Sequence, residues 1–70
     1  MEKETLLHQY ITTSYGMRGY FAVLIGRFRT RMGCTFDEPI MTGVGSYDSK
    51  EEVELEAREW AASEQIELKL

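Results

Sequence analysis

The run Tyr20-Phe21-Ala22-Val23-Leu24-Ile25 constrains the fold of this chain more than any other segment. Read as a strand, it places Tyr20, Ala22 and Leu24 on one face and Phe21, Val23 and Ile25 on the other, so it is apolar on both sides. Such a strand belongs at the centre of a sheet with cover on each face. It is also far shorter than the roughly 18 apolar residues that a membrane-crossing helix needs.

A partner strand precedes it. Tyr10 to Tyr15 is rich in β-branched and aromatic residues, and Gly16-Met17-Arg18-Gly19 supplies a turn between the two runs. The residues before Tyr10 are open between a short helix and an extension of this first strand. Past Ile25 the odd-numbered face changes to Arg27, Arg29 and Arg31, so one end of that face is wet. Thr30 to Glu38 contains Gly33 and turn-compatible polar residues, and Pro39 removes a backbone donor. This predicts a loop or wide hairpin there, then a third strand from Ile40 to Tyr47 weakened by Gly43 and Gly45.

Ser49 followed three residues later by Glu52 is a capping box, with the hydroxyl accepting from the Glu52 amide and the carboxylate reaching back to the Ser49 amide. A helix from about Lys50 to Ser63 follows, with Val53, Ala57, Trp60 and Ala61 on its core face and Trp60 as main anchor. Leu55 and Ala62 form a narrower stripe on the far side. Ile66, Leu68 and Leu70 alternate with Glu67 and Lys69 as in a short half-buried strand. The expected fold is α+β: one domain, residues 1–70, with a small antiparallel sheet of three to four strands, one C-terminal helix packed across it, and the order β-β-β-α-β.

A chain of 70 residues buries only about 60% of the surface its unfolded form exposes, so its core is thin. Cys34 is the only cysteine and His8 the only histidine, which rules out an internal disulfide and a structural zinc site. Pairing with a second copy is the remaining staple, and a homodimer is expected. Either that copy or Met1 to Gln9 would supply the second cover that Tyr20 to Ile25 requires. The N-terminal residues lack the pattern of a secretory signal, and a single free thiol suits a reducing compartment, so a cytoplasmic location is expected.

Charge divides along the chain. Arg18, Arg27, Arg29 and Arg31 stand together without an acid, whereas Asp37 to Leu70 holds ten carboxylates against Lys50, Arg58 and Lys69, for a net −4 overall. Arg27, Arg29 and Arg31 on one strand face would sit about 6 to 7 Å apart, close to the spacing of successive phosphates, with Tyr15, Tyr20, Phe21 and Phe28 as possible stacking platforms. The alternative is that these arginines pair with carboxylates of the same chain. On the helix, Glu51, Glu54, Glu56 and Glu59 frame Leu55, either as a solvated face or as a docking surface for a basic protein. Asp37-Glu38 with Asp48 lacks the spaced ligands of a calcium loop, Cys34 has no base beside it in sequence, and Gly43-x-Gly45 lacks the rest of a dinucleotide fingerprint. No cofactor or metal is expected.

The stretch from Tyr20 onward, with its apolar strand, P-x-x-T-G segment and Y-x-S-x-E-E-V entry into a helix, is similar to antitoxins of the HicB type. That resemblance implies a sheet-and-helix domain that covers a ribonuclease toxin. The order of elements also resembles a double-stranded-RNA-binding domain, whose second helix begins with lysines, where this chain has Lys50-Glu51-Glu52. The residues themselves lead to a non-enzymatic interaction module that binds or inhibits a macromolecule, in first place a protein. Arg27, Arg29, Arg31, Glu51, Leu55 and Glu59 are the candidate contacts. The competing reading is a nucleic-acid binder that uses the arginine face.

Overall fold

A computed structural model describes residues 4–70. Four strands and one helix follow in the order β1 (Thr5–Gly16), β2 (Gly19–Arg29), β3 (Thr35–Thr42), α1 (Lys50–Glu64) and β4 (Glu67–Leu68). The sheet order is β3-β2-β1-β4. The β1–β2 and β2–β3 pairs are antiparallel, whereas β4 joins β1 in parallel. This is the expected α+β arrangement, and the apolar strand β2 lies inside the sheet.

The first hairpin is long, running without a break from Gly16↔Gly19 down to His8↔Arg27. Neither Met17 nor Arg18 has a positive φ, and Gly19 closes the turn at φ 107. Residues 5–9 extend β1 rather than folding over the sheet, with a bulge between Leu6 and His8. Any cover from this segment is thereby removed from Thr5 onward, and Met1 to Lys3 lie outside the described residues.

β3 begins five residues before the expected strand. Thr35 to Glu38 alternate as a strand should, and Pro39 is accommodated because β3 is an edge strand, with a bulge between the Leu24 and Ile25 partners. Gly43 to Tyr47 is not part of β3. Its end is tied down by a bridge in which Tyr20 N donates to Tyr47 O (2.8 Å) and Tyr47 N to Tyr20 O (2.9 Å).

Ser49 caps α1, its hydroxyl accepting from the Glu52 amide at 3.3 Å. The Glu52 carboxylate accepts from that same hydroxyl at 3.1 Å, which closes the cap through one oxygen instead of reaching the Ser49 amide. At the other end Gln65 adopts a left-handed conformation (φ 57, ψ 46), and the Ile66 amide reaches back to Ala61 O at 2.9 Å. That reversal sends the chain into β4.

The core lies between α1 and one sheet face: Ile11, Ala22 and Leu24 from the sheet, with Val53, Ala57 and Ala61 from the helix. Trp60 packs at the margin, half-buried, so the anchor of the helix is its small-residue stripe and not the tryptophan. Alanines let the helix approach closely, and Val53 is fully enclosed. No helix among the described residues is long and apolar enough to cross a membrane.

Candidate functional site

Strand alternation divides the side chains between a helix-covered face and an open face. The open face carries His8 and Tyr10 from β1, Phe21, Val23, Ile25, Arg27 and Arg29 from β2, and Asp37 from β3. Glu67 and Lys69 close its far edge.

Asp37 is the hub of this face. Its Oδ1 accepts from Arg27 Nε at 2.8 Å, and its Oδ2 accepts from Tyr10 Oη at 2.7 Å and from Arg27 Nη2 at 3.2 Å. Hydrogen bonds from Arg27 first, then Tyr10, lower the Asp37 pKa to about 2. The same carboxylate raises the Tyr10 hydroxyl and the Arg27 guanidinium. Beside them His8 bonds Glu67 through Nε2, and Lys69 Nζ sits 4.7 Å from the centre of the Tyr10 ring. Polar and charged side chains thus link all four strands over the uncovered surface.

The three arginines do not share one fate. Arg27 is paired, as in the alternative weighed above. Arg29 ends β2 and is exposed with no ion pair among the described residues. Arg31 lies past the strand, in the turn before Cys34, so the expected row of three is a row of two. Of the aromatic residues considered for stacking, only Phe21 shares this face; Tyr15, Tyr20 and Phe28 point to the helix side, where Tyr15 and Tyr20 pack edge to face at 4.8 Å. Asp37 and Glu38 point to opposite faces, and no metal-binding group of three or more His, Cys, Asp or Glu side chains occurs among the described residues. Cys34 is exposed in its loop, its amide bonded to Thr30 Oγ1.

On α1, Glu51 and Glu59 are exposed and Leu55 is 60% exposed, whereas Glu54 and Glu56, the other two glutamates framing Leu55 in the sequence, are half-buried. Two of the glutamates that frame Leu55 in the sequence, Glu56 and Glu59, also belong to a second acidic row. Glu52, Glu56 and Glu59 stand at i, i+4 and i+7 along the flank nearest Tyr47, whose hydroxyl is raised by burial first and then by Glu56, with Glu52 and Glu59 adding. The Glu56 carboxylate lies against Gly43, and its Oε1 is withdrawn from solvent with no donor among the described residues.

Next to that flank, β3 is left uncovered, because α1 packs on β1, β2 and β4. Leu6, Phe28, Phe36 and Met41 lie on the helix-side face of the sheet there, and Ile40 reaches over Gly26. Phe28 and Phe36 stack at 5.6 Å, while Ile40 and Met41 are 44% and 58% exposed. Reading Thr35 to Glu38 as a loop hid this ledge. Alternation of Phe36 and Glu38 against Asp37 was the available signal, masked by Pro39.

The chain matches no protein-family model, and comparison with curated proteins and with solved structures found no similar protein.

Proposed function

We propose that this chain is a small, non-enzymatic cytoplasmic module that binds a basic protein partner. The observation that carries this reading is the division of charge over the surface. α1 presents six carboxylates against Lys50 and Arg58, with Leu55 exposed among them, whereas Arg27 is already occupied by Asp37. Charge complementarity speeds encounter, and an apolar anchor that loses its water holds the complex.

The test is titration against single- and double-stranded nucleic acid and against a lysine-rich protein at low salt. The reading expects binding to the protein alone. Nucleic-acid binding that falls steeply with salt would transfer the function to Arg29 and Arg31.

In the same reading, two copies pair through the open sheet face. Phe21 and Ile25 are only half-buried there, and the molecule extends 40 by 27 Å in its two longer dimensions. A face of that size is comparable to the roughly 800 Å² per partner of a standard interface. Sedimentation equilibrium at micromolar concentration checks it, and a clean, folded monomer would remove the dimer from the proposal.

A further inference from the structure

The geometry points to the ledge between α1 and β3 as the docking surface, and to a segment of a partner protein that combines lysine or arginine with apolar side chains as its occupant. This rests on the reading above and locates it away from the outer helix surface.

Two features converge on the ledge. Its floor is apolar: Phe28 and Phe36 are stacked, Ile40 is packed over Gly26, and Met41 is more than half exposed. No element of the described chain covers it, since α1 leaves β3 free. Its rim is acidic, with Glu38 on the strand side and, on the helix flank, Glu56, whose carboxylate lies against Gly43 just past Met41. The charge decides between occupants. A second copy placed over the ledge would bring two acidic rims together, at an electrostatic cost, whereas a cationic segment neutralises the rim as its apolar residues fill the floor. β3 is also a sheet edge, so its outer backbone groups are available to an extended segment lying along it.

Met41 and Leu55 allow a matched test, because they are 58% and 60% exposed and belong to the ledge and to the outer helix surface respectively. The probe is a synthetic peptide alternating lysine and leucine, titrated by calorimetry beside a lysine–serine peptide of equal charge. The expected result is binding of the lysine–leucine peptide that Met41→Lys weakens at least about tenfold and Leu55→Lys less than about twofold. The reverse pattern would overturn the ledge and leave the proposed function in place on the outer surface. Equal binding of the lysine–serine peptide would reduce the contact to charge and overturn the ledge as well. If neither this peptide nor the lysine-rich protein binds, both the ledge and the proposed function fall. Circular dichroism of the two variants confirms that each is folded before it is titrated.

Discussion

Arg27 and Asp37 face each other across β2 and β3, with Nε 2.8 Å from Oδ1 and Nη2 3.2 Å from Oδ2. The pair joins the arginine segment to the acidic segment of the chain, so the charge split of the sequence is partly closed by the sheet. Because Tyr10 donates to the same carboxylate from β1, three strands share one anion.

This pair predicts an acid-dependent loss of stability. The Asp37 pKa is lowered from 3.8 to about 2, so its contribution is complete above about pH 4 and is lost as pH falls through about 2. Asp37→Asn is therefore expected to be less stable than the parent near neutral pH, and the difference should close between about pH 4 and 2. Urea melts of both proteins across that range check it. A difference that stays constant with pH would mean that ionisation of Asp37 contributes nothing to folding.

Gln65 holds a left-handed backbone that glycine adopts at no steric cost, and its side chain is exposed. Gln65→Gly should stabilise the domain by about 1 kcal/mol. An unchanged or lower urea midpoint would show that the gain in backbone entropy on unfolding outweighs the relief.

Gly19 and Gly33 both have positive φ, at 107 and 90, yet their surroundings differ. A Cβ on Gly19 would fall 2.5 Å from the Tyr47 carbonyl oxygen, whereas one on Gly33 meets nothing within 4 Å. Gly33→Ala should cost about 1 kcal/mol for conformation alone, and Gly19→Ala about 2 kcal/mol or more because the Tyr20–Tyr47 bridge must also shift. Thermal melts that rank the two in the opposite order would contradict the placement of the segment leading to α1.

The core assigns the weight of the helix to Val53. Val53→Ala removes two methyl groups from a fully enclosed site and should cost about 2 kcal/mol, against about 1 kcal/mol for loss of the cap in Ser49→Ala. Chemical denaturation measures both. Equal, near-zero effects would mean that the helix packs differently.

The order of elements was legible because local signals sufficed for it. The Ser49 cap, the glycine-bounded hairpin and the two-faced strand from Tyr20 to Ile25 each state a conformation within a few residues. β3 was less legible, since Pro39 reads as a strand boundary until its place at the sheet edge is known. Trp60 was overrated for a similar reason: helical spacing puts it near the core, but only the tilt of α1 on the sheet decides that Val53 and Ala57 sit at the centre.

By itself, then, the sequence determined the order of strands and helix, that β2 is interior, and that carboxylates crowd α1, all through periodicity and capping. Tertiary structure alone decided the rest: that Asp37 meets Tyr10 and Arg27, that Arg31 leaves the arginine row, that β4 runs parallel to β1, and that the apolar ledge lies beside Glu56. These relations join residues distant along the chain, and they depend on strand register and helix placement. A one-residue change of register would move each strand side chain to the opposite face.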